Sequence, residues 1–509
     1  MKKILAVLLS VILLLGAFGA CAFAEETAKW DTTKNDEIIL SVMNNYYTEG
    51  WNNAAKKYME LHPETTVTID VIANNDALSQ KFTTWFASDD LSDASDITHI
   101  NFGNIRSMQE KGQCYDFSQI LDEINPYTGK PVRDCFEEAD IKTYTNENGM
   151  YALPFDHVGV AMMVNTDMLA EHKLEVPTTM EEWLHCCEVL KADGIDTPIL
   201  ATPEGTWFIA VLADAALRDL TAELIVRPED GAYDEATMAA NATFAYNPDD
   251  LTCDRDVVFS GERIAMYETD TQFDTPVIRS VWAEYAKYAP YFNANYMDSS
   301  STEVLTSFEM GEGAFLVSGS WNVGVLNKDM IDLGDSAFEW ITIAFPNYAA
   351  KPEGWASEKL RSLYAGGNCM GIILTGDEDH TARVLDFYEF VYNPEGCAEM
   401  FETTLNAGQF VQGPVGIKGV ELPQEINDKL AGFITECSEK GDFAVLIGRE
   451  RYLSEDSGTY KGYFDQLTTG AITSDEFLDS VRPILLRRLA DDIETSGYDL
   501  DPATKDTMK

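Results

Sequence analysis

Residues 148–199, NGMYALPFDHVGVAMMVNTDMLAEHKLEVPTTMEEWLHCCEVLKADGIDTPI, carry more structural punctuation than any other stretch of this 509-residue chain. Gly149 marks a turn, Tyr151 to Pro154 reads as short extended chain, and Val158 to Val164 is a continuous apolar run of strand length, the mark of a buried strand. Asn165 and Asp167 end that strand and a short helix follows. Pro177 then breaks the helical path, and Thr179 with Glu182 forms a capping box that opens the next helix.

The same grammar extends outward. Ile38 to Met43 reads as a strand, Trp51 to Leu61 as a helix with Trp51, Ala55 and Tyr58 on one face, and His62-Pro63 as its stop; Val67, Ile69 and Val71 alternate as a second strand. Asp96 to Ile100 reads as a third strand, followed by a helix over Ile105 to Lys111. Farther on, Phe308 to Trp321 places a phenylalanine, glycines, a small apolar strand and a Gly-Ser-Trp turn in sequence. Together these blocks resemble the extracellular solute-binding proteins of ABC importers, of the carbohydrate-type, maltose-binding-protein-like family. The resemblance runs from about Ile38 to Gly413 and is poor between about Leu217 and Ser300 and in the tail.

What the resemblance implies is a two-lobed α/β, periplasmic-binding-protein-like (type II) fold, with a ligand cleft between lobes joined by a multi-strand hinge. Lobe 1 would use residues 37–155 and 364–412, and lobe 2 residues 156–363 and 413–509, so that the chain crosses three times. The stretch around Asp156 is the first crossing. The expected function is capture of a solute, a carbohydrate and within that class an oligosaccharide, by lobe closure and its delivery to separate permease and ATPase chains. The chain is expected to act as a monomer.

The N-terminus sets the compartment. Lys2 and Lys3 precede an apolar run from Ile4 to Leu15, the pattern of a secretory signal peptide. Ala22-Phe23-Ala24 fits ordinary cleavage after residue 24, whereas Phe18-Gly19-Ala20-Cys21 fits a lipobox with phenylalanine in place of leucine, making Cys21 a lipid anchor and 1–20 the leader. An extracytoplasmic protein, surface-tethered or secreted, is expected either way.

Composition narrows the partners. The formal charge is −50, and two units more negative without the leader lysines. Such a surface repels nucleic acid and anionic lipid and does not draw anionic solutes over distance, although acidity also serves solubility alone. Eight cysteines follow Cys21 with no CxxC spacing, and buried free thiols are the expected state. There is no GxSxG, P-loop, GxGxxG, HExxH or EF-hand pattern, and the six histidines are scattered, so neither catalysis, nor a cofactor, nor a metal is expected.

Sugar binding needs aromatic faces for C–H patches and short polar side chains for hydroxyls. In the family an aromatic at the Gly-Ser-Trp motif stacks on a sugar ring, a role carried here to Trp321; core packing is the alternative. Asn44, Asn45, Tyr46 and Tyr47 follow the first strand, and Asn101 and Asn104 the third, at carboxyl ends where open α/β sheets bind ligands. Asp156 and His157 at the first crossing, Trp207 after the strand ending near Ala201, and Asn368 at the glycine-rich return crossing complete the set. Trp85 and the aromatic run Trp282 to Tyr296 read as packing. The tail from Ser474 reads as a helix that Pro483 should kink or split, with a disordered polar end after about Glu494. Three competing functions remain at this stage: the same fold binding a polyamine, a peptide, a metal chelate or another non-sugar solute; an exported carbohydrate-active enzyme; and a cell-surface adhesion or sensor protein that keeps the fold but not the transport partner.

Overall fold

The computed structural model describes residues 29–44, 46–87, 90–100, 103–146, 148–202, 207–294, 296–362, 364–367, 369–409, 411–433, 442–448 and 457–501. Two sheets organise them. The first contains β1 (Asp36–Met43), β2 (Thr65–Ile72), β3 (Ile97–His99) and β4 (Leu153–Pro154); the second contains β5 (His157–Asn165), β6 (Ile199–Ala201), β7 (Phe315–Gly319), β8 (Trp340–Ile343) and β9 (Tyr364–Gly366); β10 (Cys369–Ile372) returns to the first. The strand orders are β2-β1-β3-β10-β4 and β6-β7-β5-β8, with β9 pairing against the start of β5.

β1, β2 and β3 run parallel, as strands connected by helices must, and the returning β10 is antiparallel to β3. In the second sheet β6 and β7 are parallel, while β7 and β8 flank β5 in antiparallel register, Phe315 opposite Val164 and Ile341 opposite Val164. From Gly159 to Asn165 nearly every side chain of β5 is buried, which is why its sequence is a continuous apolar run rather than an alternation.

This is a two-lobed α/β fold, and the crossings are short. Only Phe155 and Asp156 separate β4 in one sheet from β5 in the other, and only two residues separate β9 from β10. Tyr364–Gly366 pairs with Gly159, Val158 and His157, so the chain leaves the second sheet after Gly366, at the glycine-rich stretch that the sequence marks as the return crossing.

The helices follow their sequence signals closely. Thr48–Leu61 buries Trp51, Ala55 and Tyr58, and Met180–Ala192 begins with the full Thr179–Glu182 capping box. Trp85 is buried, and Trp282, Tyr285 and Tyr288 form one buried face of Pro276–Tyr288. The seven described cysteines from Cys114 to Cys397 are free thiols, six of them buried.

Two expectations about the tail are corrected. Pro483 does not split its helix, which runs unbroken from Ser474 to Ser496. An interior proline costs about 3 kcal/mol. Phe477, Leu478, Val481, Leu485 and Leu489 are buried in the second core, at roughly 1.5–3 kcal/mol each, and that outweighs the cost. The chain beyond Glu494 also stays docked as far as the described residues reach: Tyr498 packs against the second core and the Asp499 N–H donates to Glu262 at 3.0 Å.

Candidate ligand cleft and hinge

Three distant segments of the chain meet at one buried point, around Asp156. Tyr47, at the end of β1, has a left-handed backbone (φ 52°) and heads the helix Thr48–Leu61. Its phenol donates to the Asp156 carboxylate between β4 and β5, and the backbone N–H of Gln412 donates to the phenol oxygen at 2.9 Å. Gly367, on the second crossing, donates its N–H to the Asp156 carbonyl at 3.0 Å. A Cβ on Gly367 would fall 2.4 Å from Asp156 Oδ1 and 2.9 Å from Gln412 Oε1, so only glycine passes here. Burial, and then the adjacent Asp156 charge, pushes the Tyr47 hydroxyl well above its ordinary pKa and keeps it a donor.

His157 continues the same knot. Its N–H donates to the Pro414 carbonyl at 2.8 Å, and its Nε2 lies 2.8 Å from Asp140 Oδ1, with both side chains buried. The sequence groups Tyr47, Asp156 and His157 with ligand contacts; in the structure all three side chains are buried and hydrogen-bonded within the protein.

Trp207 and Trp321 are arranged differently. β6 and β7 are adjacent parallel strands, and the chain leaving β6 leads to Trp207, the first residue of the helix Trp207–Leu217, while the chain leaving β7 leads to Trp321. Their rings lie edge to face, centroids 6.0 Å apart at 84°, and both are half-buried against the second core. A Cβ on Gly319 would lie 2.1 Å from Trp321 Cη2, so the glycine lets the indole fold over the backbone. Ser320 ties this turn to the hinge: its hydroxyl donates to the Gln412 carbonyl and accepts the Gly159 N–H at 3.3 Å. Asn322 Nδ2 donates to Ser318 Oγ at 2.8 Å and braces the turn from the other side.

Of the remaining candidates, Asn44 is exposed, and its N–H donates to the Ile72 carbonyl at 2.7 Å; Tyr46 beside it is half-buried. Asn104 caps the helix Ile105–Glu110, accepting the Ser107 N–H at 3.2 Å. Asn101, Asn368, Asn45 and Cys21 lie outside the described residues.

Sequence reading missed a buried ionic cluster near the far end of the helix that Trp207 opens. Arg361 Nε donates to Asp214 Oδ2 at 3.0 Å and Nη1 to Asp254 Oδ1 at 2.7 Å, which fastens the loop before Val257 to the helix that Trp207 opens. Among the described residues no group of His, Cys, Asp or Glu is placed to hold a metal, and no helix is long and apolar enough to cross a membrane.

The profile of bacterial extracellular solute-binding proteins matches residues 44–396, more than half of the chain. The chain belongs to that family. As a bacterial extracellular solute-binding protein it is extracytoplasmic, and its kin are binding proteins rather than enzymes. No curated protein matches it in sequence. Among solved structures, a chitin oligosaccharide binding protein is 17% identical with a TM-score of 0.57, covering 90% of this chain and 99% of its own. The solute-binding protein RafE in complex with raffinose is 16% identical (0.55; 89% and 100%), and maltose-bound MalE3 of T. maritima 12% (0.55; 89% and 99%). Identity this low relates the folds.

Proposed function

We propose that this solute-binding protein is the substrate-binding subunit of an ABC importer, taking a carbohydrate, and within that class an oligosaccharide, between its lobes and presenting it to membrane permease subunits. The observation that carries this reading is the Trp207–Trp321 pair at the carboxyl ends of two adjacent parallel strands, where open α/β sheets bind ligands. Two perpendicular indoles offer faces for the C–H patches of consecutive sugar rings. Asn44 and Tyr46 at the end of β1 supply hydrogen-bonding groups from the other lobe. Relatives of the same fold described with raffinose, chitin oligosaccharide and maltose agree with a sugar ligand.

In this reading lobe 1 comprises residues 37–155 and 364–412 and lobe 2 residues 156–363 and 413–509, apart from β9, which pairs with the second sheet. A ligand touching both lobes binds the closed form better and shifts the population toward it. The leader is removed, and Cys21 carries a lipid anchor if cleavage follows Ala20. A thermal-shift screen of the mature protein against mono- and oligosaccharides, polyamines and peptides tests the assignment. An oligosaccharide should raise the melting temperature, because a ligand selective for the native state stabilises it. A response confined to polyamines or peptides would overturn it.

A further inference from the structure

We propose that the groove between the helices Asn75–Trp85 and Ile105–Glu110 is a second ligand site, separate from the interlobe cleft, for a single-ring carboxylate that also carries a hydroxyl or N–H donor. The groove encloses about 250 Å³. That is below the 300–1,000 Å³ usual for drug-sized ligands and suits one ring.

Three groups in it are complementary to that chemistry. Gln113 lines the groove at 6% exposure, and its Oε1 has no hydrogen-bond partner in the protein. A buried acceptor left unmet is costly, which favours a ligand that brings a donor. The Gln113 backbone is pinned at both ends, its N–H donating to Met108 O and its carbonyl accepting the Leu374 N–H, each at 2.9 Å, which fixes where its side chain starts. Phe82 and Phe86 stack at 5.6 Å and 25° along one wall, a surface for a ring face. Gly103 lets the backbone pack directly against this wall, since a Cβ there would lie 2.8 Å from the buried Phe82 ring.

Lys111 stands at the same groove, exposed and without an ion-pair partner among the described residues, although acidic side chains outnumber basic ones 86 to 36. The overall negative field slows the approach of an anion. At contact distance, well inside a Debye length of about 8–10 Å, the lysine dominates. Every residue lining the groove falls between Ser79 and Gln113, so binding needs no lobe closure.

The test uses the mature full-length protein with 4-hydroxybenzoate and glucuronate, an aromatic and a sugar source of the same chemistry, and phenol and glucose as uncharged counterparts. Calorimetry should show one of the acids binding at least tenfold more tightly than its uncharged counterpart. Lys111→Glu and Gln113→Leu should each weaken that binding at least tenfold, and Trp321→Ala should leave it unchanged. Gln113→Leu should also leave the ligand-free melting temperature equal or higher, because it removes an unmet buried acceptor. Absence of binding by either acid at millimolar concentration, or binding lost in Trp321→Ala but retained in the groove variants, overturns the proposal.

Discussion

The Tyr47 phenol donates to Asp156 across 109 residues of sequence, and the same oxygen accepts the Gln412 N–H, so one side chain joins the turn after β1 to two distant segments of the chain. Tyr47→Phe keeps the ring, with its edge contact to Phe155 at 5.6 Å, and removes only the hydroxyl. It takes one donor away from a buried carboxylate and the acceptor away from the Gln412 N–H. The expected loss is about 1–3 kcal/mol of unfolding free energy, read from the urea midpoint. An unchanged midpoint would show that the bond contributes nothing.

Trp321→Ala should weaken oligosaccharide binding at least tenfold, roughly 1.4 kcal/mol, by calorimetry. Because Trp207 leans edge-on against Trp321, truncating either indole also loosens the other. The double variant should therefore lose less than the sum of the two single losses. Unaltered affinity in both single variants would remove the pair from the site.

The strand β5 and the capped helix after it were readable because local chemistry decides them: the apolar run reports burial on both faces, and the Thr179–Glu182 box fixes the helix start. The hinge knot was not, because Tyr47, Asp156 and Gln412 are ordinary residues whose meaning depends on long-range pairing. Trp207 and Trp321 could be singled out as candidates, but their mutual geometry arises only once β6 and β7 lie side by side. The poorly matching stretch after Leu217 hides a pinned loop in which Asn241 Nδ2 donates to the Val226 and Val258 carbonyls at 2.7 and 2.8 Å. No periodicity announces a single asparagine closing a loop.

His380 should make stability fall on the alkaline side. Its Nε2 lies 2.9 Å from Asp96 Oδ1 and its Nδ1 2.7 Å from Asp36 Oδ2. The Asp96 hydrogen bond is the largest cause raising its pKa from 6.5 to about 9, and the bond to Asp36 adds to it. A group whose folded pKa is raised contributes fully below its unfolded value and loses that contribution as pH rises through the folded one. Unfolding free energy should thus decline between about pH 6.5 and 9, and His380→Gln should flatten the decline. An equal slope in the variant would refute the assignment.

Arg361→Met should be among the most damaging single changes in the second lobe. The guanidinium is almost wholly buried and bonds two buried carboxylates, Asp214 and Asp254. Removing one partner of a buried ionic set leaves uncompensated charge, at about 3–5 kcal/mol. The two carboxylates are not equally exposed to that loss. Asp214 keeps Arg218 at 3.4 Å, whereas the salt bridge of Asp254 is to Arg361. Adding Asp254→Asn to Arg361→Met removes the stranded charge and should restore more than half of the lost stability in denaturant unfolding. If the double variant is no more stable than Arg361→Met, packing of the arginine stem rather than charge compensation is what the loop depends on.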